Sequence, residues 1–148
     1  SATLNREQVM TDLNNLKVGI TIGDINGIGP EIILKSLNDR RILTTITPVI
    51  YGSDSALSHY KTKMGMTELD MSTVKEAGKA RKNKINVINV SSDDIKIEEG
   101  KESVSSGKIA VLALEKAAQD ISTGAIDVIV TAPISKSVCQ KAGFDFSD

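Results

Sequence analysis

Two hydrophobic rhythms alternate along the chain. Short β-rich apolar runs fall at Lys17–Ile22 (KVGITI), Thr47–Tyr51 (TPVIY), Ile85–Val90 (INVINV) and Asp127–Thr131 (DVIVT), and runs of this kind predict strands. Between several of them, apolar residues recur at three- and four-residue steps, which predicts helices. Pro30 and Glu31 open the first helix: proline is preorganised for a first turn, and the acid complements the helix dipole. Ile33, Leu34 and Leu37 then share its inner side. Ser53 or Asp54 can cap a second helix that carries Leu57, Tyr60 and Met64. The longest helix is expected to start near Ser105 or Ser106 and to bury Ile109, Leu112, Ala113, Ala117 and Ile121, with Gly124 as its stop. A last helix should begin after Pro133 and end near Gly143. Helices alternating with apolar strands read as βαβ units around a mainly parallel sheet.

Two stretches break the rhythm. Asp70–Lys84 is charged and poor in apolar residues, and it reads as a solvated loop or a weak helix whose four lysines and one arginine form a wet face. Asp93–Glu102 reads as an exposed hairpin or connection. The sequence shows no internal repeat and no low-complexity linker.

Composition narrows the function classes. The 148 residues suit one domain or a large piece of one, and 40% hydrophobic residues can fill an ordinary core. A net charge of -1 and 3% aromatics argue against nucleic acid and anionic membrane as partners. No apolar run approaches the roughly 20 residues of a membrane span. Residues 1–16 form a polar N-terminal extension without a signal-peptide core. The single cysteine, Cys139, rules out an internal disulfide and suits a reducing cytoplasm. The single histidine, His59, lies in the polar stretch SALSHYKTK and reads as a solvated helix residue. No metal ligand set can be assembled from this chain.

Two segments carry chemistry. Gly23-Asp24-Ile25-Asn26-Gly27-Ile28-Gly29-Pro30-Glu31 follows a predicted strand and opens a helix. Its three glycines allow a sharp turn and close approach to a ligand, and the N–H groups of a helix start favour an anion or a carbonyl dipole. Asp24 and Asn26 add an acceptor and an amide at the carboxyl end of a strand, where open α/β sheets bind ligands. The spacing is not a Walker A loop, since Gly-Pro-Glu stands where Gly-Lys-Ser/Thr belongs. It also lacks a dinucleotide fingerprint, because Ile32 occupies the third small position, although Asp54 follows the second strand as a ribose-binding acid would. Ordinary βα turn chemistry is the competing explanation. If ligand approach or a positive φ governs the loop, Gly27 should reject β-branched replacements, and Lys35 on the wet side of the helix should not matter. The second segment is Thr131-Ala132-Pro133-Ile134-Ser135-Lys136. Thr131 offers a hydroxyl, Pro133 fixes the turn, and Lys136 places a cation in a first helical turn, where an anionic partner would justify it. An ordinary surface lysine is the alternative.

ITIGDINGIGPEI resembles the opening motif of the 4-hydroxythreonine-4-phosphate dehydrogenases, itself similar to the GDGIGPE opening of isocitrate and isopropylmalate dehydrogenases. Ser106–Gly107 with the following Ala-rich helix, Asp127–Lys136 and Ala142-Gly143-Phe144 resemble the same family in the same order. The resemblance implies a three-layer α/β/α fold of the isocitrate/isopropylmalate dehydrogenase type with a mainly parallel sheet, incomplete in this chain. Residues 17–148 would be the N-terminal part of such a dehydrogenase, most of it from the cofactor-side domain and its end entering the second domain. The implied reaction is NAD-dependent oxidation of 4-phosphooxy-L-threonine followed by loss of CO2 to 3-amino-2-oxopropyl phosphate, in vitamin B6 biosynthesis. A cytoplasmic homodimer using a divalent metal (Zn, Mg or Co) is implied as well.

Carried over position by position, Asp24, Asn26, Gly27, Gly29, Pro30 and Glu31 would line the dinucleotide side of the cleft, and Thr131 and Lys136 the substrate side. The family's three metal-binding histidines and its Gly-His-Thr-Glu segment have no counterpart here, and Asp148 stands near the glycine with which that segment should begin. The chain by itself is therefore expected to bind NAD weakly or not at all and to show no turnover, and no catalytic residue can be named. A related dehydrogenase acting on a phosphorylated sugar acid, of 4-phosphoerythronate type, and a non-catalytic self-associating fragment are the alternatives.

Overall fold

The computed structural model describes residues 16–132. The first strand, β1 (Leu16–Thr21), is followed by α1 (Gly29–Leu37), a short α2 (Arg40–Thr45), β2 (Ile46–Gly52) and α3 (Asp54–Lys63). Then come β3 (Met71–Thr73), a 3-10 turn (Ala77–Lys79), β4 (Ile85–Asn89), α4 (Val104–Ser122) and β5 (Val128–Thr131). The strands form one sheet in the order β3-β4-β2-β1-β5, parallel at every pairing. All four strands expected from the sequence are present. The expected last helix, Cys139 and Lys136 lie outside the described residues.

Side chains alternate across the sheet and build two cores. Val18, Ile20, Ile50 and Val87 pack with Ile33, Leu34 and Leu37 of α1 and with Leu57 and Tyr60 of α3. Val49, Tyr51 and Ile88 on the other face pack against Ala113 and Ala117 of α4. The result is a three-layer α/β/α arrangement. Topology explains the division: from β1 to β3 the chain steps one way across the sheet, and after β4 it returns to the far side of β1. A right-handed crossover in the reverse direction needs its helix on the opposite face, which is where α4 lies.

Several expectations need correction. The stretch 70–84 is neither a plain loop nor a weak α-helix, since it contributes the edge strand β3 and the 3-10 turn. The buried stripe of α4 is rotated: Ala110 and Val111 are buried beside Ile109, Ala113 and Ala117, whereas Leu112 is half-buried and Ile121 exposed. A buried polar anchor accounts for the rotation. Tyr51 Oη donates to Asp120 Oδ2 at 2.6 Å, and Lys116 Nζ lies 3.4 Å from Asp120 Oδ1. Drawing Asp120 against the sheet turns Ile121 outward. Burial first, and then the Asp120 hydrogen bond, push the Tyr51 phenol far above its ordinary pKa, so it remains a donor.

The Ser53 cap is as expected, whereas α4 starts at Val104 on a Ser103 cap and not near Ser105 or Ser106. Ser53 Oγ accepts from Ala56 N at the start of α3, and Ser103 Oγ accepts from Ser106 N at the start of α4. Gly124, at φ 78, ends α4 as anticipated. At the start of α1, Pro30 is buried in the first turn and Ile28 stands at the N-cap without a side-chain cap hydrogen bond.

Candidate functional site

Parallel strands put all their carboxyl ends on one edge, and the sequence-predicted site residues that are described gather there. β1 and β5 are neighbours in register Thr21↔Thr131, and Ala132 N donates to Thr21 O at 3.1 Å. The loop from Gly23 to Gly29 and the exposed Thr131 are thus one strand apart on the same edge. That much of the shared-site expectation holds. The Pro133–Lys136 part of the second segment lies outside the described residues.

Within the loop, the glycines divide the work differently from the sequence expectation. The positive φ falls on the buried Gly23, at 71°, and Gly27 is absent from the positive-φ glycines of the described residues. A Cβ on Gly27 would meet Asp24 Oδ2 and Cβ at 3.4 Å, an ordinary contact. Backbone strain thus gives no reason for glycine at position 27, and it does give one at position 23. Gly23→Ala is expected to cost roughly 1 kcal/mol of stability, from forcing a Cβ into the left-handed region, while Gly27→Ala should be near neutral. Thermal melts of the two variants check this, and the reverse order would discard the assignment of strain to Gly23.

Asp24 shapes the turn. Its Oδ1 accepts from Asn26 N at 2.9 Å and its carbonyl accepts from Gly27 N at 3.0 Å. Its Oδ2 makes no hydrogen bond among the described residues, so one carboxylate oxygen remains for a ligand hydroxyl or amide. Asn26 is 3% exposed and turned to a different purpose. Its Oδ1 accepts from Glu98 N at 2.9 Å, and its Nδ2 donates to Lys101 O at 3.1 Å and Ser103 Oγ at 3.4 Å. The amide that the sequence offered to a cofactor is engaged by the connection before α4. That connection is therefore not a free hairpin: Ile95 and Ile97 also pack on the core.

Glu31 sits half-buried in the first turn of α1 and pairs with Lys63 Nζ at 3.1 Å. Lys63 also pairs with Glu99, and His59 Nε2 lies 3.2 Å from Glu99 Oε2. Hydrogen bonds from Lys63 and then His59 hold the Glu99 carboxyl below its usual range, and Glu99 in turn raises Lys63. The network ties α1, α3 and the 98–103 connection together at the surface. Beneath it, Tyr60 Oη donates to Ile25 O at 2.5 Å, and burial pushes the Tyr60 phenol up to about 12. His59 is thus exposed and within hydrogen-bond distance of Glu99, in keeping with its reading as a solvated helix residue. Gly29 and Pro30 are buried and serve the packing of the turn, with Ile28 (65% exposed) and Ile32 (45%) leaving apolar surface beside it.

A second crevice lies at this edge. The loop after β2 turns toward α3 on one face, and the loop after β4 turns toward α4 on the other. Between them lies an open cavity of about 460 Å³ lined by Ser53, Asp54, Asn89, Ser91, Ser92 and Asp93. Divergent loops of this kind mark ligand crevices in open α/β sheets. Asp54, the acid placed after the second strand, borders this crevice; its Oδ2 accepts from Thr73 Oγ1 at 3.2 Å and its N donates to Asn89 Oδ1 at 2.8 Å. The only hint in the sequence was the crowding of serines after two apolar runs.

Comparison with known proteins adds the following. Residues 44–148 match the family described as pyridoxal phosphate biosynthetic protein PdxA. The 4-hydroxythreonine-4-phosphate dehydrogenase of Bacteroides thetaiotaomicron is 41% identical over 133 residues, which cover 90% of this chain and 36% of that protein. A Clostridium botulinum protein, provisionally named a D-threonate 4-phosphate dehydrogenase, is 31% identical over 136 residues, 87% of this chain and 39% of its own. Among solved structures, a 4-hydroxythreonine-4-phosphate dehydrogenase from Burkholderia phymatum superposes with a TM-score of 0.82 at 26% identity, covering 90% of this chain and 41% of that one. The chain spans about 40% of the length of these proteins.

Proposed function

The chain belongs to the PdxA family of pyridoxal phosphate biosynthetic proteins, and its α/β fold is that of the family's dehydrogenases; from that membership we propose that it forms the cofactor-side beginning of an NAD-dependent 4-hydroxythreonine-4-phosphate dehydrogenase. In this reading residues 1–16 are an extension and residues 17–148 begin the enzyme, which works as a cytoplasmic homodimer. Among the described residues no helix is long and apolar enough to cross a membrane. The substrate is 4-phosphooxy-L-threonine, oxidised at its hydroxyl and then decarboxylated to 3-amino-2-oxopropyl phosphate.

The observation that carries the proposal is the placement of the glycine loop and Thr131 at neighbouring carboxyl ends of β1 and β5. A nicotinamide cofactor suits this edge. Gly23 turns the backbone back sharply at φ 71, and the start of α1 has no side-chain cap, which leaves helix-start N–H groups for a polar ligand. When bound, the cofactor supplies a hydride acceptor. Asp24 Oδ2 would accept from a cofactor hydroxyl or amide, the loop from Gly27 to Pro30 with Glu31 would shape the wall, and Ile28 would cover an apolar ring face. Asn26 would act from behind the loop. Thr131, and Lys136 beyond the described residues, would face the phosphorylated substrate.

A divalent metal does not fit the described residues, among which no group of three or more His, Cys, Asp or Glu could hold one. By family resemblance its histidine ligands belong to sequence that this chain does not contain.

The test compares this chain with the same chain extended through the region its relatives carry beyond it. NADH formation from 4-phosphooxy-L-threonine, NAD and a divalent metal is expected from the extended protein and not from the chain alone. No NADH from the extended protein, or turnover by the chain alone, would overturn the proposal. The similarity to the Clostridium protein supports a second reading, a phosphorylated sugar acid as substrate. Faster turnover of D-threonate 4-phosphate or 4-phosphoerythronate than of 4-phosphooxy-L-threonine would establish it instead.

A further inference from the structure

The Asn26 side chain bridges two segments more than 70 residues apart, bonding to Glu98 at a separation of 72 and to Ser103 at 77. Its backbone takes part as well, since Asn26 O accepts from Gly100 N at 2.7 Å. Within residues 98–103 the acceptor and both donor bonds of one amide are used, and an ionised carboxylate of the same shape could only accept. Ser103 is the hinge of the arrangement, because its Oγ caps α4 through Ser106 N and also accepts from Asn26 Nδ2. The glycine loop and the amino end of α4 are thus joined through one buried side chain.

We propose that Asn26 is a positioning residue that locks the Gly23–Gly29 loop to residues 98–103, so that the loop and the amino end of α4 behave as one unit of the site wall. What the unit serves rests on the function proposed above. The lock itself is readable without any ligand, so its failure and the failure of that function are distinguishable.

The experiment is amide hydrogen exchange on the chain, expressed as protection factors so that intrinsic pH effects cancel. Wild type, Asn26→Ala, Asn26→Asp and Gly100→Ala are compared at neutral and at acid pH. Asn26→Ala should lower protection of both 23–29 and 98–103 by about tenfold at either pH, while central β2 and β4 hold theirs. Asn26→Asp should behave alike at neutral pH, because a carboxylate cannot donate to Lys101 O. It should recover at acid pH, where the protonated acid can donate. A residue that merely filled space would show no such recovery. Asp24, Glu98, Glu99, Lys101 and Glu102 are the other charged residues of the two segments, Glu31 of α1 and His59 and Lys63 of α3 face them, and wild type at both pH values is the control for all of these groups. Gly100→Ala strains the connection from its exposed side, at φ 78 with nothing within 4 Å of the new Cβ, and it should loosen 23–29 as well. Because it leaves the core intact, it decides the matter if the Asn26 variants fail to fold. Loosening of 98–103 with 23–29 unchanged, wild-type behaviour of Asn26→Asp at neutral pH, or uniform loss of protection through the sheet would each overturn the proposal.

Discussion

Gly52→Val should lower the urea midpoint of unfolding more than either Gly23→Ala or Asn86→Ala. Gly52 ends β2 on the face that carries Ile22, the residue that directly follows β1, and Ile22 N donates to Tyr51 O at 3.0 Å there. A Cβ on Gly52 would sit 2.6 Å from both Cβ and Cγ2 of Ile22, which is 0% exposed. The Cβ of Ile22 is fixed to its strand and cannot swing away, so the two strands must separate. Overpacking of this kind costs roughly 3 kcal/mol or more, a large part of the ~5–15 kcal/mol that holds a domain. Ile22→Ala should not rescue the variant, because it keeps the Cβ that clashes. Gly78→Ala, with open space around the added methyl, is the control. Urea denaturation followed by circular dichroism reads the result, and a wild-type midpoint for Gly52→Val would show that the strands yield freely.

Asn86→Ala should follow with a loss of about 3 kcal/mol, the scale of several buried polar groups left without partners. Asn86 is 0% exposed on β4, and its Nδ2 donates to Pro48 O at 3.0 Å and Arg81 O at 2.9 Å. Its Oδ1 accepts from Arg81 N at 2.8 Å. One side chain therefore fastens the 81–84 turn, including Asn83 at φ 63, to the strand beside it. A midpoint shift equivalent to less than about 1 kcal/mol, with an unchanged slope, would mean that water replaces these bonds.

How far the sequence reached depended on the range of the interactions. The strands at β1, β2, β4 and β5 were legible because each is a local apolar run. The helices α1 and α3 were legible because proline, serine and aspartate mark their starts. Met71–Thr73 escaped because two half-buried residues and an exposed one carry no period, and only register with Ile85–Val87 makes them a strand. Arg40–Thr45 escaped for the same reason: it buries no residue and depends on its Asp39 cap. The tilt of α4 could not be read from its own alanines, since Asp120 is held by Tyr51 at a separation of 69 residues. At the candidate site, the glycine loop was visible as a motif. The occupation of Asn26 by residues 98–103 was not, because nothing near position 26 announces partners that distant.

The place of β1 between β2 and β5 bears on the order in which the chain can be built. One flank of β1 pairs with β2, which begins only a few dozen residues later. The other flank waits for Asp127, whose carboxylate accepts from Lys17 N across a separation of 110 residues. At a synthesis rate of about 5–20 residues per second, that flank stays open for roughly 5–20 seconds on the ribosome. Through that interval the backbone N–H and C=O groups on that side of Leu16–Thr21 have no strand to pair with, a strand edge open to pairing with another chain. Slowed translation between residues 90 and 127 should therefore increase chaperone association and aggregation before it affects any property of the finished fold.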